Sequence, residues 1–95
     1  MSKVKSVLTD NMECCYECGS TYAECHHVFF GSYQKTACTR RKLYLPLCPE
    51  HHRGKNGPHM NYKKNHEYKQ LAQRYYEEHI GTRAEFMAEF GKNYL

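Results

Sequence analysis

The feature of this chain that most constrains its fold is a set of two metal-ligand pairs. Two residues separate Cys15 from Cys18, two separate Cys48 from His51, and 29 residues lie between the pairs. A two-residue spacer lets a tight turn aim both side chains of a pair at one point, and four such ligands complete the tetrahedron that zinc prefers. Gly19 suits such a turn because glycine tolerates positive φ. The spacing therefore predicts one structural Zn²⁺ per chain.

Composition gives a second reason to expect a metal. The 95-residue chain has 14 Lys and Arg against 10 Asp and Glu, a net charge of +4, and its Leu, Ile, Val and Phe together number only 14. These 14 aliphatic and Phe residues are a smaller share of the chain than the roughly 20% below which charged chains tend towards disorder. A core this small needs a covalent or metal cross-link. The length excludes a multidomain enzyme and predicts a single domain.

The N-terminal sequence bears on the choice between disulfides and zinc. Residues 1–8 contain no apolar run of signal-peptide length, and no stretch of the chain reaches membrane-spanning length. We therefore expect a cytoplasmic protein that does not contact a membrane. In that compartment thiols stay reduced, so paired Cys and His bind zinc.

Three cysteines remain outside the two pairs. Cys14 replaces Cys15 as a ligand if the register differs by one, whereas Cys25 and Cys38 are predicted to be buried thiols. A C2H2 zinc finger needs about twelve residues between its pairs, but only seven separate the first pair from the next histidine. A redox CxxC site needs a βαβ context that the flanking sequence lacks.

The remaining sequence predicts a small α+β domain. Residues 1–13 are polar and are predicted to form a flexible N-terminal arm, followed by a single zinc-bound domain over residues 14–95. Two β-prone runs, 26–30 and 42–47, predict a hairpin-like pair across a polar loop at 31–41. A short helical turn follows the second run.

Two helices are predicted after that turn. Apolar residues at three- and four-residue steps predict a helix over 62–80 that ends at Gly81. Thr82 and Glu85 predict a capping box that opens a last helix over 82–91. The expected buried residues are Tyr68, Leu71, Ala72, Tyr75 and His79 in the first helix and Phe86, Met87 and Phe90 in the second.

Histidines that the zinc pairs do not use indicate a second site. His26 and His27 form a doublet on the first predicted strand, His52 follows a zinc ligand, and His59 lies in the loop beyond it. Together with the zinc pairs, this pattern resembles the HNH, or ββα-metal (His-Me finger), nuclease superfamily. The stretches 46–52 and 54–59 are most similar to small phage-type recombination enhancement, RecA-dependent nucleases. The resemblance covers about residues 14–80.

The resemblance implies a zinc-stapled ββα-metal core and a divalent-metal-dependent DNA endonuclease. It implies that His27 is the general base and that His26 and His52 bind a catalytic cation, Mg²⁺ or Mn²⁺, with His59 as a further ligand. A neutral imidazole can take a proton from water near pH 7, and a divalent cation stabilises charge on the phosphate and the departing 3′ oxygen. Hydrolysis would leave a 5′-phosphate and a 3′-hydroxyl. The implied substrate is a recombination intermediate, recombinase-coated DNA, in a bacterial or phage-infected cell.

The chain departs from the family pattern at the middle Asn. None occurs in residues 40–47, and Asn56 is the nearest candidate. The doublet poses a geometric difficulty as well, because adjacent strand residues point to opposite faces. His26 and His27 serve one site only if the strand bends, and one of them packs against the zinc turn if it does not.

Basic residues near the predicted site are candidates for DNA contacts. They are Arg40, Arg41, Lys42 and Lys55. Such cations would bind phosphates in a salt-dependent and largely sequence-independent manner, and a solvated surface is the alternative. Two other functions stay open for the whole chain. One is a non-catalytic zinc-stabilised module that binds nucleic acid or protein, and the other is a zinc-stapled interaction protein such as an inhibitor. The sequence does not determine the oligomeric state.

Overall fold

The two strands of the domain pair antiparallel, with Glu24 opposite Leu47 and His27 opposite Tyr44. A computed structural model describes residues 5–95, except for the side chains of residues 32 and 33. Over these residues the elements are β1 (Glu24–His27), α1 (Ser32–Arg41), β2 (Tyr44–Leu47), α2 (Pro49–Arg53), α3 (Tyr62–His79) and α4 (Arg83–Phe90). The predicted α+β class is confirmed. None of the helices in this part of the chain is long and apolar enough to cross a membrane.

Strand β1 begins and ends earlier than predicted. It stops at His27 because Val28 and Phe29 turn inward and become completely buried. The following strand, β2, is buried along its whole length. Pro46 fits within β2 because each strand of a two-stranded sheet has a free edge, where proline costs no ladder hydrogen bond.

The segment between the strands is helix α1, so the predicted polar loop at 31–41 is wrong. Contacts with distant residues hold this helix in place. Gln34 Nε2 donates to the Phe90 carbonyl at 2.8 Å, and Arg41 Nε lies 2.8 Å from a carboxylate oxygen of Glu89. The sequence of α1 shows no apolar periodicity, because the core residues described for it, Ala37 and Cys38, are adjacent and its bonds to α4 come from polar side chains.

The C-terminal helices form close to the predicted residues. Asn61 caps α3 by accepting a hydrogen bond from the Lys64 N–H at 3.2 Å. The capping box of Thr82 and Glu85 opens α4 as predicted. Gly91, at φ +82°, ends α4 in the left-handed conformation that glycine favours.

The buried faces of these helices differ in part from those predicted. Tyr68 and Ala72 are buried on α3, as expected, but the line continues to Tyr76. The residues predicted beside it, Leu71 and Tyr75, are half-buried, and His79 is exposed. Tyr68, Ala72 and Tyr76 are four residues apart, so they lie on the same side of α3 and form its buried face. The other predicted residues lie off that face.

On α4, Phe86 and Phe90 are completely buried, whereas Met87 is 43% exposed. The prediction that Met87 is buried is therefore wrong. A residue next to Phe86 lies about 100° away around the helix. This rotation turns Met87 out of the face that Phe86 and Phe90 share.

Residues 5–13, predicted as part of a flexible arm, pack along the domain. The Ser6 hydroxyl donates to the Tyr44 carbonyl at 2.6 Å. Met12 is buried in the core. Residues 1–4 of the predicted arm lie outside the described residues.

Candidate metal centres

The two predicted ligand pairs converge on one point. Cys15, Cys18, Cys48 and His51 each present one ligand atom, and these atoms all lie within 4.8 Å of one another. The Sγ atoms of Cys18 and Cys48 are 3.7 Å apart, and Cys48 Sγ is 3.2 Å from His51 Nδ1. Sulfur and nitrogen ligands of one tetrahedral zinc ion lie about 3.6–3.8 Å apart. The four side chains could therefore hold a metal ion such as zinc, as predicted.

A tight turn builds the first pair. Gly19 has φ +78°, and its N–H donates to the Cys15 carbonyl at 2.9 Å. Burial raises the pKa of the Cys15 thiol, but hydrogen bonds from the backbone of Cys48, Cys18 and Glu17 outweigh this effect. The net result is a pKa of about 7. The thiolate, which is the form that binds metal, is therefore accessible at neutral pH.

The remaining cysteines separate clearly from this group. Cys14 is not part of it, so Cys15 supplies the ligand at this end of the pair. Cys38 is buried, as predicted. Cys25 is exposed, and its predicted burial is wrong. The reason is strand alternation, which buries His26 and turns its neighbour Cys25 outward.

Three predicted histidine ligands form a second group. One ring nitrogen from each of His26, His52 and His59 lies within 4.8 Å of the others. The Nε2 atoms of His52 and His59 are 3.3 Å apart. His26 is 1% exposed, and its buried Nε2 has no hydrogen-bond partner among the residues that the structure describes. An orphaned buried nitrogen beside two other imidazoles fits a bound cation.

Two histidines of this group are held in the neutral form that binds a metal. Burial lowers the pKa of His26 to about 3, and the neighbouring His52 and His59 lower it as well. Burial likewise lowers the pKa of His59. Imidazole must be neutral to bind a metal. His26 and His59 are therefore in the ligating form at pH 7.

Helix α2 supplies one ligand to each group. His51 and His52 are adjacent on this five-residue helix, so their side chains diverge by about 100°. The chain then returns closely past the end of α2. A Cβ at Gly57 would lie 2.6 Å from the His52 carbonyl oxygen and 2.7 Å from that of His51. The backbone can approach α2 this closely only with glycine at this position.

A carboxylate that the sequence analysis missed supports the second group. Glu24 Oε1 lies 2.7 Å from His52 Nδ1, and Glu24 Oε2 lies 2.6 Å from Arg53 Nη2. The hydrogen bond from His52 and the charge of Arg53 lower the pKa of Glu24. Such a carboxylate holds the proton on Nδ1 and leaves Nε2 free for a metal. Strand parity could have found it, because Glu24 and His26 are two residues apart and share a face of β1.

The predicted general base, His27, lies outside the three-histidine group. Its ring packs edge-on against Tyr44, with the ring centroids 4.8 Å apart. Burial and the nearby Lys35 lower the pKa of His27, so the ring is neutral at pH 7. Lys35 also lines an open cleft of about 540 Å³, together with Gly31, Thr36 and Thr39.

The predicted DNA-binding cations have different environments. Arg40 and Arg41 pair with Glu89 at 3.3 and 2.8 Å, so part of their charge is neutralised within the chain. Lys42 and Lys55 are exposed. Contacts of these four residues with DNA stay a prediction. Asn56, the candidate for the missing family Asn, is exposed in the loop after α2.

The fold and the two groups define a small α+β protein with two candidate metal centres. No protein-family model matches the chain, and comparisons with curated proteins and with solved structures give no significant match. The similarity to HNH nucleases is therefore a similarity of residue pattern.

Proposed function

We propose that this chain is a divalent-metal-dependent DNA endonuclease that hydrolyses phosphodiester bonds. The observation that carries the proposal is the three-histidine group with the orphaned Nε2 of His26. The four-ligand group already suffices to cross-link a domain of this size. One structural zinc ion thus leaves the second group unexplained, whereas metal-assisted hydrolysis would use it.

His26, His52 and His59 would hold the catalytic cation. When bound, the cation supplies positive charge for the phosphate oxygens and the departing 3′ oxygen. Imidazole ligands suit a transition-metal cation such as Mn²⁺ better than Mg²⁺, which prefers oxygen ligands. Glu24 fixes the orientation of His52 and so keeps its Nε2 directed at the group.

His27 would accept the proton of the attacking water. Its lowered pKa keeps the imidazole neutral at pH 7, which is the form that a general base needs. Lys35, whose charge acts on His27 and which lines the open cleft, would bind a phosphate of the same strand. The products would be a 5′-phosphate and a 3′-hydroxyl. Recombinase-coated recombination intermediates are the proposed substrate on the ground of the sequence resemblance alone.

A non-catalytic zinc-stabilised binding module is the second candidate. The placement of His27 favours it, because this ring packs on Tyr44 and is not a member of the three-histidine group. In such a module His27 stabilises the end of β1, and the three histidines bind a second structural ion. The module would bind nucleic acid or a protein partner without cleaving a bond.

Cleavage of supercoiled plasmid with added Mn²⁺ or Mg²⁺ tests the proposal. We expect His27→Ala to lower the cleavage rate about 10²- to 10⁴-fold, the usual contribution of a general base. Zinc content should not change, since His27 belongs to neither ligand group. His79→Ala removes an exposed histidine at the far end of α3 and should cleave at the wild-type rate.

Two results would change the assignment. A wild-type protein that leaves the plasmid intact with both cations makes the non-catalytic module the better description. A His27→Ala protein that cleaves at the wild-type rate removes His27 from the mechanism.

A further inference from the structure

A continuous strip of rings and cations extends away from the three-histidine group. Phe30 contacts His59, with ring centroids 4.9 Å apart, and Lys69 Nζ lies 5.1 Å from the Phe30 centroid. The same ammonium group lies 5.3 Å from the centroid of Tyr94. We call the whole feature the aromatic strip, and its members are Phe30, Lys69, Tyr94, Lys92, His66 and Tyr62.

The strip continues from Tyr94 to the start of α3. The rings of His66 and Tyr94 are 6.3 Å apart in an edge-on arrangement. His66 then stacks on Tyr62, with the rings almost parallel at 9° and their centroids 6.0 Å apart. Tyr62 is 78% exposed and Phe30 is 36% exposed. Both ends of the strip therefore offer an accessible aromatic face.

The middle of the strip gathers two positive charges. Lys92 Nζ lies 5.4 Å from the Tyr94 centroid, so both lysines lie over one buried ring. Within the described residues, no carboxylate lies within 4 Å of either ammonium group. Burial and the charge of Lys92 lower the pKa of Lys69. Two like charges held on one ring without an acidic partner attract an anion.

We infer that the aromatic strip binds an unpaired stretch of a DNA strand, with Lys69 and Lys92 on backbone phosphates and Phe30 and Tyr62 stacked on bases. Bases in a duplex are already stacked on each other, so an exposed protein ring can stack only on an unpaired base. Contact between Phe30 and His59 joins the strip to the three-histidine group. This inference rests on the proposed function, and it specifies the substrate as DNA with unpaired nucleotides beside the cleaved bond.

Binding to a fluorescein-labelled single strand of about 16 nucleotides, and to the duplex of the same sequence, tests the inference by fluorescence anisotropy. No divalent cation is added, so the measurement does not depend on cleavage. We expect the single strand to bind more tightly. Tyr62→Ala should weaken its binding about 5- to 150-fold, the usual range for loss of one stacked base. Tyr22→Ala is the matched control, because Tyr22 is 80% exposed.

Salt dependence tests the two lysines separately. Replacing both Lys69 and Lys92 by Gln should reduce the slope of log affinity against log salt by about 1.4, the expectation for two phosphate contacts on a single strand. Arg74→Gln removes one charge from a different face of α3 and should leave single-strand affinity unchanged. If the double variant does not fold, Lys92→Gln alone replaces it, because Lys92 is exposed. The single variant should reduce the slope by about half as much.

The outcomes separate this inference from the proposed function. Equal binding of duplex and single strand, or wild-type affinity in the Tyr62 and Lys92 variants, overturns the strip even if the protein cleaves plasmid. Strip-dependent binding of the single strand by a protein that cleaves nothing supports the strip and rejects the nuclease.

Discussion

The two ring nitrogens of His52 have different partners. Nδ1 is hydrogen-bonded to Glu24, whereas Nε2 faces His59 at 3.3 Å. Arg53 in turn pairs with the other oxygen of Glu24 at 2.6 Å, and this contact fixes the carboxylate. A single acidic side chain on β1 thus determines which nitrogen of a helix residue is available to a metal.

We therefore predict that Glu24→Gln weakens cation binding at the three-histidine group by about 10- to 100-fold. An amide pairs less strongly with the Nδ1 proton and no longer balances the charge of Arg53. Titration with Mn²⁺, followed by electron paramagnetic resonance, measures the affinity directly. Glu50→Gln, on the exposed side of α2, is the matched control. Unchanged Mn²⁺ affinity in Glu24→Gln would mean that Glu24 serves only its pair with Arg53.

Residue-scale features could be predicted to the extent that they are local in sequence. The pair Cys15 and Cys18 was evident because a turn of fixed length decides its geometry. The contact between Glu24 and His52 spans 28 residues and depends on how α2 packs on β1. Strand parity places Glu24 on the face of His26, but no spacing rule reports its contact with His52, and the same holds for Lys69 between Phe30 and Tyr94.

At the scale of elements, α2 and the loop after it form a tightly packed unit. Gly57 lies against the carbonyl oxygens of His51 and His52, where a side chain has no room. A change at Gly57 therefore displaces a helix end that carries a ligand of each candidate centre, although Gly57 itself binds nothing.

We predict that Gly57→Ala accelerates zinc loss and lowers affinity for Mn²⁺ in the same protein. The added Cβ would be 2.6–2.7 Å from backbone oxygens that cannot rotate away, so α2 must shift. Release of zinc to a colorimetric chelator gives the rate. Gly81→Ala is the control, because the three atoms nearest to a Cβ there belong to the side chains of Glu85 and Tyr76 and not to the backbone. If Gly57→Ala retains zinc as the wild type does, the loop moves to accommodate the added Cβ and α2 stays in place.

Helix α1 shows why element prediction failed in one segment and succeeded in another. For α3, a line of buried residues at helical spacing gives a periodic signal that the sequence displays. For α1, only the adjacent Ala37 and Cys38 among the described side chains enter the apolar core, and Gln34 and Arg41 bond to α4 residues more than forty positions later. Polar residues that pack through hydrogen bonds carry no apolar period, so their segment resembles a loop.

At the scale of the whole molecule, Glu89 joins three helices. Its carboxylate accepts hydrogen bonds from Arg41 of α1, the shortest at 2.8 and 3.0 Å, and one from the Tyr76 hydroxyl of α3 at 3.0 Å. Burial raises the pKa of Glu89, but Arg41 and Tyr76 lower it more, so the net shift is downward. The unfolded chain therefore binds a proton at this carboxyl before the folded chain does.

This difference predicts how stability depends on pH. The contribution of Glu89 is complete at neutral pH and is lost as pH falls below about 4.5, through its lowered folded-state pKa. Glu89→Gln should reduce the free energy of unfolding by about 2 kcal/mol at pH 7, and the deficit should shrink below pH 4.5. Thermal unfolding of both proteins from pH 7 to pH 3 measures this. Glu77→Gln removes a more peripheral ion pair with Arg83 and should have a smaller effect. A deficit that stays constant with pH would contradict the assignment.

The position of His51 and His52 on one short helix has a thermodynamic consequence. An ion bound at either candidate centre would restrict α2, so a second ion would bind to a helix whose conformational entropy has already been reduced. Such coupling is reciprocal, and each ion raises the affinity for the other by the same factor. Under the proposed function, an ion at the four-ligand group would raise the affinity of the three-histidine group for its cation, and zinc supply would set the cation concentration at which the protein becomes active.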